Sequence, residues 1–83
     1  MSFMERMDRQ MNSMSTMIEK VGVDLDRLAM GRLGLDLADA IRACRVCAAA
    51  DDCAEWLKHA PAHLDRAPGF CPNAARFERL KAQ

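Results

Sequence analysis

The placement of four cysteines constrains this chain more than any other feature. They follow the spacing C-x2-C-x5-C-x17-C, at Cys44, Cys47, Cys53 and Cys71. Two cysteines separated by two residues can bind one ion or cluster through a local turn, the third lies within easy reach, and the fold must return the fourth. In a reducing compartment such thiols bind metal or perform redox chemistry rather than form structural disulfides. The spacing therefore predicts one site made by all four cysteines, with disulfides or free thiols as the lesser alternative.

The detailed spacing favours an iron–sulfur cluster over zinc. Zinc sites with four cysteines commonly use two C-x2-C pairs, and the second pair is missing here. Iron–sulfur proteins more often combine three clustered cysteines with a remote one that precedes proline, as in Cys71-Pro72. We therefore expect a [4Fe–4S] cluster, with a [2Fe–2S] cluster and zinc as alternatives. Four arginines near the cysteines in sequence would offset the negative charge of the thiolates: Arg42, Arg45, Arg66 and Arg76.

Length and charge limit what the whole chain can do. Eighty-three residues suffice for one small domain, in which packing alone gives limited stability and a metal staple would help. Twelve Lys and Arg balance twelve Asp and Glu, so nucleic acid is not an expected partner. Charges are interspersed from the N-terminus onwards, and no stretch approaches the roughly 20 apolar residues of a membrane span. We expect a cytoplasmic protein.

An amphipathic helix is predicted within residues 1–22. Ser2 followed by Glu5 fits a capping box, and Gly22 lies where the helix needs a C-terminal stop. Apolar residues recur in steps of three and four, while polar residues occupy the other faces. This stripe indicates a helix packed on the domain, or an arm that forms a homodimer or docks on a partner. Its members are Met4, Met7, Met11, Met14 and Ile18.

Residues 23–83 are predicted to form a helical domain that contains the four cysteines. Asp24 can cap a second helix, and Gly31 and Gly34 break or kink the chain after it. No period-two alternation is long enough for a strand, so the fold class is all-α. A third helix starts near Asp36 and has one apolar face, formed by Leu37, Ala40, Ile41 and Cys44.

Two of the cysteines are predicted at helix N-termini. Asp51 and Asp52 are expected to cap a helix that carries Cys53. Pro72 suits the first position of a last helix, which places Cys71 at the N-cap. The partial positive charge of a helix N-terminus lowers the pKa of a thiol, so both positions favour the thiolate that a metal needs.

Other residues near the cysteines are expected to support the site. Asn73 can donate a hydrogen bond to a cluster sulfur or serve in the first helical turn. His59 and His63 stand on either side of Pro61 and are expected to face solvent or cap a helix rather than bind metal. Large apolar side chains are expected to pack around the site and exclude solvent: Trp56, Leu57, Phe70 and Phe77.

The run CRVCAAADDCAEWL, followed by APGFCPNAARFERL, resembles a family of short, uncharacterised alphaproteobacterial proteins catalogued as a domain of unknown function. The resemblance covers roughly residues 28–81 and depends on the clustered cysteines, the W-L pair and the F-C-P-N-A element. It implies that the three clustered cysteines pair with Cys71, and it names no reaction. A weaker likeness, to the iron–sulfur loop of endonuclease III-type DNA glycosylases, concerns the C-x2-C-x5-C spacing alone. In that loop a further cysteine is expected where this chain has Leu37.

Two functions from different classes fit these observations. The first is a small iron–sulfur protein that passes single electrons to a protein partner or senses oxidants or iron supply. The second is a structural zinc module that acts as an adaptor, with its Met-rich helix docked on another protein. We expect no catalysis, because a substrate-activating site needs an open iron and a pocket with acid and base groups.

Overall fold

The computed structural model describes residues 2–82, which form five α-helices and one short 3-10 segment. No strand occurs in this range, although an isolated antiparallel bridge joins Val23 and Lys81. The all-α fold class is thus confirmed for the part of the chain that the structure describes. The elements are α1 (Phe3–Val21), α2 (Leu25–Met30), the 3-10 segment (Gly31–Gly34), α3 (Leu35–Arg45), α4 (Ala50–His59) and α5 (Ala74–Arg79).

Both ends of α1 follow the local sequence signals. The Ser2 side chain accepts a hydrogen bond from the backbone N–H of Glu5 at 3.2 Å, which caps the first turn. Gly22 adopts a left-handed conformation with φ of 83°, and its N–H donates to the carbonyl of Ile18 at 3.0 Å. The predicted start and stop of this helix are confirmed.

The buried face of α1 differs from the predicted stripe. α1 packs against α3, α4 and α5, and the face that it buries includes Met14, Met17 and Ile18. Met17, which the stripe did not contain, is 1% exposed, whereas Met4 is 65% exposed. Met4, in the first turn of α1, therefore lies outside the core of this chain.

The C-terminal end of α1 is held by segments that are remote in sequence. The Lys20 side chain donates to the carbonyl of Pro61 at 3.0 Å, and the N–H of Leu64 donates to the Lys20 carbonyl at 2.8 Å. The N–H of Ala82 donates to the carbonyl of Gly22 at 2.8 Å. The bonds to the carbonyls of Lys20 and Gly22 satisfy groups that a helix end would otherwise leave without partners.

The chain breaks after α2 as the sequence indicates. The Asp24 side chain accepts from the N–H of Arg27 at 3.1 Å and so caps α2. Between Gly31 and Gly34 the chain tightens into the 3-10 segment, where Arg32 and Leu33 adopt left-handed φ values of 50° and 61°. Such values are strained for residues with a side chain, so surrounding contacts must hold this turn in place.

A buried carboxylate connects this turn to the last helix. Asp36 is fully buried, and its Oδ1 accepts from Arg32 Nε at 3.0 Å and from Arg79 Nη2 at 2.9 Å. The hydrogen bond from Arg79, assisted by Arg32, lowers the pKa of Asp36 below its ordinary value of 3.8. Sequence reasoning assigned Asp36 only to a helix start and missed that it is a buried anchor.

One apolar core lies between these elements and includes residues from each α-helix. No helix within residues 2–82 is long and apolar enough to cross a membrane. The buried apolar residues outside α1 are Val23, Leu28, Ala40, Leu57, Ala67, Phe77 and Leu80.

Candidate metal centre

All four cysteines line one cavity of about 30 Å³. Cys44 lies in the last turn of α3, Cys47 in the connection to α4, Cys53 in α4, and Cys71 in the turn before α5. Each is half-buried and carries a free thiol. The fold therefore returns Cys71 to the three clustered cysteines, although it is distant from them in sequence.

The C-x2-C pair reaches the cavity through a tight turn at the end of α3. The N–H of Val46 donates to the carbonyl of Arg42 at 3.2 Å, and the N–H of Cys47 donates to the carbonyl of Cys44 at 3.3 Å. A turn of this kind brings side chains three residues apart to the same side of the chain. Cys44 and Cys47 consequently contribute to the same cavity wall.

The predicted helix starts around Cys53 and Cys71 are wrong in detail. α4 begins at Ala50 after Ala49, which makes no side-chain cap, so Asp51 and Asp52 lie within the first turn. α5 begins at Ala74, so Cys71 precedes the helix and is not its N-cap. Its N–H instead donates to the carbonyl of Pro68 at 3.0 Å, and its carbonyl accepts from the N–H of Ala74 at 3.1 Å. These bonds form successive turns that lead into α5.

Three of the four thiols have raised pKa values, and for Cys53 and Cys71 this is contrary to the lowering expected from a helix N-terminus. Burial, with a smaller contribution from the neighbouring Cys71, raises the pKa of Cys44 and of Cys53 to about 11. Burial also raises the pKa of Cys71. Loss of hydration outweighs any effect of the helix N-terminus, because a thiolate in a partly apolar cavity lacks stabilising water. Without a cation these thiols stay protonated at neutral pH.

Asn73 connects the cavity to the core. Its side chain is fully buried, and Nδ2 donates to the carbonyl of Ala40 at 3.0 Å and to Sγ of Cys44 at 3.3 Å. Its Oδ1 accepts a hydrogen bond from Arg76 Nη1. The hydrogen bond to sulfur opposes the effect of burial on the pKa of Cys44. A bond from Asn73 to a cysteine sulfur is what the sequence analysis anticipated, here made to a thiol.

The walls of the cavity are largely apolar, and α1 supplies one of them. Met14 and Met17 contribute from α1, and Phe77 contributes from α5. Sequence reasoning missed the α1 residues, because no local pattern shows which helix covers the cysteines. Phe70 also lines the cavity but is 40% exposed, and its ring meets that of Trp56 edge to face with centroids 6.0 Å apart.

The two histidines lie away from the cysteines. His59 ends α4, is exposed, and has its Nε2 3.3 Å from Glu55 Oε1. His63 is exposed in the segment after α4. Both side chains face solvent, as expected, and neither lines the cavity. Of the four arginines near the cysteines in sequence, Arg76 contacts the site through Asn73.

The four thiols are suitable ligands for a soft metal, but their sulfur atoms are not arranged around a common metal position. Within residues 2–82, no group of three or more His, Cys, Asp or Glu side chains stands in a geometry that could hold a metal ion. Four thiols around one cavity are nevertheless the ligand type that suits zinc and iron–sulfur clusters. Binding of either group would therefore require the cysteine side chains to move.

The fold and the cavity define a small all-α domain with four thiols around one site. The chain belongs to the family described as Family of unknown function (DUF6455), which matches residues 1–83. This match confirms the resemblance to an uncharacterised family, while the alphaproteobacterial range and the cysteine signature stay predictions. No curated protein and no solved structure matches the chain.

Proposed function

We propose that Cys44, Cys47, Cys53 and Cys71 bind one [4Fe–4S] cluster, and that the protein acts in electron transfer or in redox or iron sensing. The observation that supports this proposal is that all four cysteines line the same cavity. Three of them lie within ten residues of each other in sequence, and the fourth comes from a separate turn before α5. The cluster would supply one-electron redox chemistry when bound.

The residues around the cavity suit such a role. The N–H group that Asn73 directs at Cys44 Sγ would stabilise negative charge on that sulfur and influence the potential of the site. Met14 and Phe77 provide apolar walls that limit access of water. With four cysteine ligands no coordination position is left for a substrate, so the proposal is for electron exchange with a protein partner or for sensing, rather than for catalysis.

The size of the cavity favours a second candidate, a structural zinc module that acts as an adaptor. A volume of about 30 Å³ is close to the space of a single water molecule. One ion would need little more room, whereas a cluster would push the cavity walls apart. The exposed Phe3 and Met4 in the first turn of α1 then offer a docking surface for a partner or for a second copy of the chain.

Metal and sulfide analysis of anaerobically purified protein separates the two candidates. A cluster predicts about four irons and four sulfides per chain together with broad visible absorbance. A colourless protein with one zinc per chain would contradict the cluster and support the zinc module. A stable native protein that contains neither metal and titrates four free thiols would contradict both.

The Cys71→Ser variant tests whether the fourth cysteine belongs to the site. We expect this variant to lose most of the bound metal and to unfold more readily, because metal affinity contributes directly to folding. His63→Ala is the matched control, since His63 lies nearby in sequence but is exposed and outside the cavity. A Cys71→Ser protein with wild-type metal content would remove Cys71 from the proposed ligand set.

A further inference from the structure

A second, larger cavity lies beside the cysteines. This cleft of about 420 Å³ is enclosed by the first half of α1, the end of α3 and the start of α4. Three guanidinium groups line it, those of Arg6, Arg9 and Arg45. Cys47 and Ala50 complete part of its wall, so the cleft adjoins the cysteine cavity without including its other thiols.

A hydrogen bond from a buried glutamine joins α1 to the end of α3 beside these arginines. Gln10 is 8% exposed, and its Nε2 donates to the carbonyl of Arg45 at 3.1 Å. Arg6 stands one helical turn before Gln10 on the same face of α1, so this bond brings it next to the end of α3. The hydrophobic stripe did not indicate this contact, because Gln10 belonged to the polar faces of the predicted helix.

The cleft carries an excess of positive charge. Its single carboxylate, Asp51, lies 3.5 Å from Arg9 Nη2 and partly compensates that arginine. The side chains of Arg6 and Arg45 have no hydrogen-bond or ion-pair partner among residues 2–82. Three cations against one anion leave two positive charges uncompensated in one concave site.

We propose that this cleft binds the phosphate group of a small phosphorylated molecule. A phosphate monoester carries nearly two negative charges at neutral pH, which matches the excess charge of the cleft. Guanidinium groups bind phosphate oxygens through paired hydrogen bonds. The first turn of the ten-residue helix α4, a helix end that favours anions, contributes Ala50 and Asp51 to the wall of the same cavity. The volume of the cleft exceeds that of a phosphate alone and falls in the range of small-molecule sites.

Calorimetric titration of the protein as purified tests this proposal, with its metal content measured beforehand. The probes are AMP, inorganic phosphate, and adenosine as the analogue without phosphate. We expect saturable binding of AMP and of phosphate and none of adenosine. Tighter binding of AMP would show that the rest of the molecule contacts the cleft, while equal affinities would identify phosphate itself as the ligand. Absence of saturable binding at millimolar phosphate and AMP would overturn the proposal.

Charge-neutralising variants locate the site. Arg45→Gln and Arg6→Gln are each expected to weaken AMP binding at least about tenfold, because each removes a paired contact to the phosphate. Arg66→Gln removes the same charge from an exposed position outside the cleft and is expected to leave the affinity within about twofold. If Arg66→Gln weakens binding as much as Arg45→Gln, the interaction reflects net charge and the proposed site is wrong. Circular dichroism would verify that the variants are folded.

Discussion

Nδ2 of Asn73 donates a hydrogen bond to Sγ of Cys44 at 3.3 Å, although the two residues are 29 positions apart in sequence. The same amide donates to the Ala40 carbonyl at 3.0 Å, so one buried side chain holds the end of α3 against the start of α5. Asn73 thereby positions a cysteine and contributes to the core at once.

Replacement of Asn73 by alanine should destabilise the protein. The buried carbonyl of Ala40 and Nη1 of Arg76 would each lose their hydrogen bond with Asn73, and loss of a buried hydrogen-bond partner costs about 1 to 3 kcal/mol. Urea unfolding followed by circular dichroism measures the change in the free energy of unfolding. Asn12→Ala, at an exposed position of α1, is the control and should change it by less than about 0.5 kcal/mol. Equal stabilities of the two variants would contradict the structural role of Asn73.

Gly31 is required by the position of Asp36. A β-carbon at residue 31 would collide with Oδ2 of Asp36, and that carboxylate is fully buried and held by hydrogen bonds from Arg32 and Arg79. Gly31→Ala should therefore lower the free energy of unfolding by about 1 to 3 kcal/mol, the usual range for overpacking. Gly69→Ala is the matched control, because a β-carbon there meets nothing within 4 Å. Thermal unfolding of both variants measures the difference. Equal destabilisation of Gly31→Ala and Gly69→Ala would contradict the collision with Asp36 as the cause.

The stability of the protein should depend on Asp36 at acidic pH. Folding lowers the pKa of this carboxylate, mainly through the hydrogen bond from Arg79. Its stabilising contribution is therefore present above pH 3.8, its ordinary pKa, and is lost as the pH falls through the lower value of the folded state. Asp36→Asn should be less stable than the wild type at neutral pH, and the difference should shrink in acid.

Urea unfolding over a series of acidic pH values measures this effect. Asp8→Asn, at an exposed position on α1, is the control and should keep the pH dependence of the wild type. A constant difference in stability between the wild type and Asp36→Asn across the acidic range would contradict a charged, arginine-bound Asp36.

Truncation of two methionines of α1 should change the free energy of unfolding by very different amounts. Met17→Ala removes a side chain that is 1% exposed and lines the cysteine cavity, so it should cost about 2 to 5 kcal/mol. Met4→Ala removes one that is 65% exposed and should change stability by less than about 0.5 kcal/mol. Chemical unfolding of the pair tests whether α1 belongs to the folded core. If α1 were a detached arm, both substitutions would have small effects.

Several elements of the fold could be predicted because their signals are local. Ser2, Gly22 and Asp24 mark helix ends through their own hydrogen bonds or backbone conformation, as the structure confirms. The break between α2 and α3 follows in the same way from Gly31 and Gly34. These signals involve residues within one turn of each other, so the short-range chemistry of the backbone determines them.

The buried face of α1 could not be derived from its periodicity alone. The repeat of three and four residues located the helix and included Met14, yet it admitted the exposed Met4 and omitted Met17. Periodicity describes a face of one helix, whereas burial depends on where α3, α4 and α5 cover that face. For the same reason Gln10, polar and buried, had no signal in the sequence.

For the candidate site, the residues that could act together were predictable from their spacing, whereas the environment of each thiol depends on packing. The spacing of the cysteines and the likeness to an uncharacterised family already grouped Cys44, Cys47 and Cys53 with Cys71. In the folded chain all four line one cavity. The raised pKa values and the hydrogen bond from Asn73 required the folded chain. Local sequence places a thiol near a helix start, but only packing decides how much water remains around it, and loss of that water determines its pKa.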